Sequence, residues 1–320
     1  MVKLSSLGDV VHAMPAVQDI RAALPDARID WVVERGFAPL VRRCDGVEHV
    51  IPSEIRRWRA TLMSRHTLDE WAAFREQLQS RAYDAVIDLQ GLTKSAVVAR
   101  MARLAPGGKR YALANRTDGS SYEVPTRWLA DVAVRIEPRV HAVQRSRLLC
   151  AQALGYALSA TPRFGLHAQG APAAGDARAV ALIHGTSRED KCWPEAHWIA
   201  LGRQLAEAGH TLALPHGNDA EQARSERLAA GIGAAADVWP RLPLDALTDR
   251  LAGCAGAVGV DSGLSHIAVA LDLPHVQIYN FDTAWRTGPV DLPRQRSVFA
   301  ERSPSVDAVW QLWRQVTMPA

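Results

Sequence analysis

Residues 256–271, GAVGVDSGLSHIAVAL, constrain the fold of this chain more than any other stretch. Gly256 to Val260 is a run of small and β-branched residues, the composition of a strand buried on both faces. After it, Leu264, Ile267, Ala268 and Leu271 recur at i, i+3, i+4 and i+7, which is one face of a helix. Asp261, Ser262 and Gly263 fall at the junction, so a strand ends, the chain turns tightly and a helix begins. Such a junction aims free backbone N–H groups and the positive end of the helix dipole at one spot. Its small residues let a ligand approach the backbone, and a phosphate cradle is one reading. An ordinary turn with Asp261 as the helix N-cap is the other.

The same alternation recurs along the chain. SSLGD (5–9) follows a stub of strand and leads into Val10, Met14, Val17, Ile20 and Leu24 at helical spacing. A typical strand runs about 5 residues, so MVKL reads as a first strand shortened at its start. RIDWVVE (28–34) predicts a strand, 48–51 a weaker one, and DAVIDLQG (84–91) a buried strand running into a helix through Ala96, Val97 and Ala99. An Arg- and Trp-rich polar segment covers 54–80, and 105–126 reads as a loop. Val140 to Leu154 predicts a helix. The second half restarts with RAVALIHG (178–185), a helix at 195–208 carrying Trp198, Leu201 and Leu205, and TLALPHG (211–217). Helices at 219–230 and 243–253, the 256–271 unit and HVQIYN (275–280) follow.

Between the halves, 159–177 is rich in Ala, Gly and Pro and reads as a linker. Alternating βα units on both sides predict an α/β chain of two doubly wound, Rossmann-like parallel-sheet domains, 1–158 and 178–303. The last residues, 304–320, predict a helix packing back on the first domain. A chain of 320 residues is long enough for two such cores. The excess of 37 Lys and Arg over 34 Asp and Glu is too small to argue for nucleic acid, although basic residues cluster at 56–59. Cys44, Cys150, Cys192 and Cys254 show no CxxC or Cys/His ligand spacing, which argues for reduced thiols and against zinc. No apolar run reaches the roughly 18 residues of a membrane span, and no signal-peptide core is visible. A cytoplasmic protein touching at most a membrane surface is expected.

Ligands of open parallel sheets bind beyond the carboxyl ends of the strands. Those ends carry SSLGD (5–9), VERG (33–36) and DLQGLTKS (88–95) in the first half. In the second half they carry HGTSREDKCW (184–193), PHGNDAE (215–221), VDSGLSH (260–266) and YNFD (279–282). Both sets are rich in hydroxyl, glycine and charge.

SSLGDVVHAMPAV, HGTSREDKCWP and VDSGLSHIAVAL together resemble the three signatures of the lipopolysaccharide heptosyltransferases. DWVVERGF, IRRWR, DAVIDLQGLTKSA and HAVQRSR lie between them in the order of the type I enzymes. The resemblance implies a GT-B pair of domains, the first binding the acceptor and the second ADP-heptose. It implies inverting transfer of heptose from ADP-heptose to Kdo of Kdo2-lipid A, in lipopolysaccharide core synthesis at the cytoplasmic face of the inner membrane. No cofactor is implied, and the chain has no Asp-x-Asp metal motif. A type II enzyme adding the second heptose, a nucleotide-sugar epimerase and a non-catalytic binder are the alternatives. Two departures stand out: the short first strand, and Tyr279-Asn280-Phe281-Asp282-Thr283 where the family has a YGPTDP-like turn.

By the same resemblance Asp9 is the base that takes the proton of the Kdo hydroxyl, a role one carboxylate fills in inverting sugar chemistry. Its bland alternative is a helix cap. Lys191 matches the cation that meets the departing diphosphate, with Thr186 and Ser187 donating to the same oxygens. The alternative there is a solvated loop in which Lys191 pairs with Glu189 or Asp190. Ser262, Gly263 and Leu264 would present N–H groups to phosphate, while Asp261 fixes the turn or contacts the heptose. His266 binds phosphate or is a core histidine, and Glu221 accepts ribose hydroxyls or is plain helix-start charge. Ser6, Gly8, Arg56, Arg57, Arg59, Lys94 and Arg116 form the acceptor set, suited to a carboxylate and phosphates. A solvated basic face is the alternative.

Overall fold

The strand expected at 256–260 lies inside a six-stranded parallel sheet in the computed structural model, which describes residues 1–61, 64–169, 177–290 and 292–318. The chain divides at Gly165/Leu166 into two units. That boundary falls within the expected linker, of which 170–176 lie outside the described residues. The start of the linker belongs to the first unit: the Ser159 hydroxyl donates to Asp19 at 2.8 Å and Phe164 is buried.

The strands of the first unit are β1 (Ile29–Glu34), β2 (Val47–Ser53), β3 (Ala82–Asp88), β4 (Arg103–Leu113) and β5 (Val132–Val134). β1 pairs with β2, β3 with β4, and β4 with β5, all in parallel. The stub at the start of the chain joins the two sets. Val2 bridges Val32 on one side and Asp88 on the other, and Lys3 N–H donates to Val32 at 3.1 Å. With Val2 and Leu4 buried, this stub is a central strand despite its length. It delivers the chain directly into the helix Leu7–Ala23.

One expectation for this unit needs correcting. Residues 105–126 are not a loop throughout: β4 covers Arg103–Leu113, and the helix Pro125–Leu129 starts within the segment. Gly108 answers to close packing, since a Cβ there would lie 2.5 Å from the carbonyl oxygen of Tyr83. The Arg- and Trp-rich segment forms the helices Ile55–Ala60 and Arg65–Gln79. There Trp58 is buried edge-on against Trp71, with ring centroids 5.4 Å apart.

The second unit contains β6 (Ala179–Ile183), β7 (Thr211–Leu214), β8 (Ala236–Val238), β9 (Gly256–Val260), β10 (His275–Tyr279) and β11 (Gln295–Phe299). Their order is β11-β10-β9-β6-β7-β8, so the winding reverses between β6 and β9. Every residue of β9 and β10 is buried, as the unbroken small and apolar run of β9 requires, and β10 encloses His275 and Gln277 as well. A Cβ on Gly259 would sit 2.2 Å from Ser265 Oγ, so glycine here lets the helix Gly263–Ala270 lie directly on the strand. β5, β8 and β11 carry weak sequence signals because they are short or polar edge strands. The C-terminal helix, Val306–Thr317, packs on β10, β11 and the helix Glu195–Glu207. Residues 304–318, set apart from the second domain in the sequence reading, thus belong to the second unit. The apolar face of the helix, Val309, Trp313 and Val316, is consumed by the second core.

Candidate functional site

The switch point between β6 and β9 gathers the donor-side candidates. Thr186 Oγ1 donates to the Asp261 carbonyl at 3.1 Å, tying the two strand ends together. Ser262, not Asp261, is the N-cap of the helix Gly263–Ala270, and its hydroxyl accepts from the N–H of Ser265. The Asp261 carboxylate is therefore free for other partners. Lys191 Nζ donates to its Oδ2 at 2.6 Å, while His266 Nε2 and Thr287 Oγ1 each lie 3.4 Å from Oδ1. Tyr279 OH stands 3.2 Å from Thr287 Oγ1 and extends the network. Burial pushes the Asp261 carboxyl up, but the hydrogen bond and charge of His266 and the Lys191 ammonium outweigh it. The group is held well below the usual carboxylate range.

The solvated-loop alternative for Lys191 does not hold. Asp190 is taken by Arg188, whose Nε donates to it at 3.0 Å, and Lys191 turns inward to Asp261. His266 is buried, yet it serves Asp261 and is not an isolated core residue. Ser187 is exposed, and Gly263 and Leu264 form the half-buried first turn of their helix. At the neighbouring strand ends Glu221 Oε2 accepts from the N–H of Gly217 at 2.7 Å. A Cβ on Gly185 would lie 2.8 Å from the Glu221 carboxyl carbon, so that carboxylate rests over the end of β6. Asn218 caps this helix, which leaves Glu221 more than helix-start charge.

In the first unit Asp9 is the third residue of the helix Leu7–Ala23, whose N-cap is Ser6. The N–H and Oγ of Ser6 both donate to Asp9 Oδ2, at 3.3 and 2.9 Å. Its other oxygen, Oδ1, faces two cations: Lys3 Nζ at 3.3 Å and Arg145 Nη2 at 3.4 Å. Burial would raise the Asp9 carboxyl, but Lys3, Arg145 and His12 together hold it well below the usual range. Burial also lowers the Lys3 ammonium from its ordinary value, against the pull of Asp9. The side chain of Asp9 remains 36% exposed, so the carboxylate is ionised and accessible. Capping and a chemically poised carboxylate thus coincide in one residue. With two cations facing one carboxylate, the pocket favours an anion.

The acceptor set is only partly brought together. Lys94 Nζ donates to Ser5 Oγ at 3.4 Å and stands 3.7 Å from Glu34, beside the Asp9 turn and next to Ser6. Gly8 lies in the first helical turn with Asp9. Arg59 and Lys94 line one cavity, shared with Trp58, Trp71, Leu92 and Val97. Arg56 is exposed, whereas Arg57 bridges the carboxylates of Glu54 and Glu70 and is committed within its own segment. Arg116 Nε donates to the Ser120 carbonyl at 3.2 Å in the loop after β4.

Sequence reasoning missed Lys3, Arg145, Asn280 and Thr287 as members of these sites. Arg145 lies within the HAVQRSR block, which was a usable signal. Lys3 carried none, being a lysine in a strand stub that proves buried. Among the described residues no group of three His, Cys, Asp or Glu is placed to hold a metal, and no helix is long and apolar enough to cross a membrane.

Comparison with known proteins places these two clusters in context. The family model described as glycosyltransferase family 9 (heptosyltransferase) matches residues 71–309. Lipopolysaccharide heptosyltransferase 1 of Escherichia coli K12 is 42% identical over 287 residues, 87% of this chain and 86% of that protein. The protein of the same description from Pseudomonas aeruginosa is also 42% identical, over 87% of this chain and 77% of its own length. The solved structure of E. coli heptosyltransferase WaaC with ADP aligns with a TM-score of 0.87 at 35% identity, covering 98% of each chain.

Proposed function

The chain belongs to glycosyltransferase family 9, the heptosyltransferases, and from that premise we propose how its two half-sites divide one transfer. It is a glycosyltransferase of the heptosyltransferase 1 type, with a GT-B fold like that of its structural relative. ADP-heptose is the donor, in keeping with the relatives solved with ADP and with ADP-2-deoxy-2-fluoro heptose. The proposed acceptor is Kdo of Kdo2-lipid A, reached at the cytoplasmic face of the inner membrane. An inverting displacement then builds the lipopolysaccharide core.

The observation that carries this reading is the Asp9 carboxylate, ionised, accessible and faced by Lys3 and Arg145. In the proposed step the Kdo hydroxyl oxygen bonds to the anomeric carbon of heptose from the face opposite ADP. The bond from that carbon to the phosphate oxygen breaks, and ADP leaves with the electron pair. Asp9 takes the hydroxyl proton. Its depressed affinity for protons keeps it in the basic form at neutral pH, at some cost in driving force. Lys3 and Arg145 also suit the Kdo carboxylate, since cations beside Asp9 draw an anionic sugar to it.

In the second unit Lys191 meets the charge that grows on the diphosphate, assisted by Thr186, Ser187 and the N–H groups of Ser262, Gly263 and Leu264. Asp261, held by His266, fixes the turn, and Glu221 takes the ribose hydroxyls. Lys94, Arg56 and Arg59 serve the anionic acceptor, with Ser6 and Gly8 shaping the turn around it. This scheme uses protein groups alone, without metal or cofactor.

The test is transfer of heptose from ADP-heptose to a Kdo2-lipid A acceptor by the parent and by Asp9→Asn. The parent should transfer, and the variant should lose about 10²–10⁴-fold in turnover, the usual worth of a general base. ADP affinity should stay within a few-fold. A variant within about threefold of the parent, far short of that loss, would move the base elsewhere. A parent that transfers no heptose would refute the acceptor reading.

A further inference from the structure

In the turn after β10 the side chain of Asn280 is engaged. Asn280 Nδ2 donates to the carbonyl of Asp190 at 3.1 Å and to that of Cys192 at 2.9 Å. These carbonyls flank Lys191, so both amide protons are spent on the backbone either side of it. Two carbonyl acceptors also fix which end of the amide is nitrogen. The Oδ1 atom is buried without a partner, which leaves the amide enclosed.

The segment it grips has little rigidity of its own. Glu189–Lys191 is a single short helical turn, closed by Lys191 N–H to Arg188 and Cys192 N–H to Glu189. One residue before Asn280, Tyr279 reaches Thr287, which in turn donates to Asp261. One turn therefore holds both members of the Lys191–Asp261 pair, the lysine through its backbone and the aspartate through its side chain.

We propose that Asn280 is a positioning residue, clamping the backbone on both sides of Lys191 and so setting where its ammonium meets the diphosphate of the donor. This rests on the donor-site reading above. Holding the loop beforehand spares the ligand the cost of ordering it.

Two variants test the clamp. Asn280→Asp keeps the shape but removes the donor and sets a carboxylate against two carbonyls, and Asn280→Ala removes the group. ADP affinity is measured by calorimetry, with kcat and KM for ADP-heptose and Tm, in the parent and again in a Lys191→Ala background. The parent's ADP binding is established first; a parent without it refutes the donor-site reading itself. Given that binding, each variant should weaken ADP about tenfold, as expected for two net hydrogen bonds. With Lys191 already removed the same changes should matter less than about twofold, because coupled residues are non-additive. Equal losses in both backgrounds, or an Asn280→Asp enzyme indistinguishable from the parent, would overturn the proposal.

Discussion

Lys191 and Asp261 lie 70 residues apart in the chain and meet at 2.6 Å across the switch point of the second sheet. The ammonium is thus neutralised before any ligand arrives, and a diphosphate has to share it with the carboxylate. Two substitutions should then act with opposite signs. Lys191→Ala should weaken ADP binding by about 1.5–3 kcal/mol, the range for hydrogen bonds to charged groups. Asp261→Asn should tighten it, since a negative charge beside the diphosphate is removed. Calorimetry giving unchanged ADP affinity for Lys191→Ala, or a weaker complex for Asp261→Asn, would contradict this sharing.

The three arginines of 56–59 should separate in function. Arg57 is committed to Glu54 and Glu70, whereas Arg56 and Arg59 are exposed and Arg59 lines a cavity with Lys94. Arg56→Ala with Arg59→Ala should raise the acceptor KM several-fold and leave ADP affinity alone. Arg57→Ala should leave that KM near the parent's and lower Tm by about 1–2 °C, as little as exposed ion pairs contribute. Should Arg57→Ala alone reproduce the KM effect, the pairing with Glu54 and Glu70 is not what occupies it.

Acid should destabilise the second unit through its buried histidines. His275 sits in β10, and burial pushes its pKa from 6.5 down to about 3, although the Ala257 carbonyl 3.0 Å away opposes the shift. His184 is pushed down to about 4, by burial first and then by Arg224. Between these values and 6.5 the unfolded chain binds protons that the folded chain does not, so stability rises with pH there and falls on acidification. Asp88 works in the opposite sense: burial raises its carboxyl from 3.8 to about 6, and its contribution grows as pH drops through that window. The comparison must therefore be made between variants. His275→Asn should show a shallower fall in Tm from about pH 6.5 to 4 than the parent does. Parallel curves would mean that His275 does not titrate on unfolding.

Much of the site could be read from the chain because its parts are local. The turn Asp261–Gly263 between a buried strand and a helix, the polar strand ends and the Gly8-Asp9 turn each occupy a few consecutive residues. Their periodicity is visible without knowing what lies beside them. The edge strands and the true course of 105–126 were harder, because an edge strand needs only one good face and a close-packed glycine such as Gly108 looks like a loop residue. For the same reason the C-terminal helix showed its apolar stripe in sequence while its partner was undetermined: any exposed core face would bury Trp313 equally well.

Sequence alone set out the two-domain α/β plan and, through the family resemblance, singled out Asp9, Lys191 and Asp261 as candidates, since these follow from patterns of short range. Only the tertiary structure decided what those charges meet. It gave Asp9 the buried Lys3 and the distant Arg145 as partners, turned Lys191 away from Asp190 toward Asp261, and closed Asn280 over the backbone that carries Lys191. All of these contacts except the one from Lys3 join segments far apart in the chain, and electrostatic energy depends on distance in space and burial, neither of which is written in the order of residues.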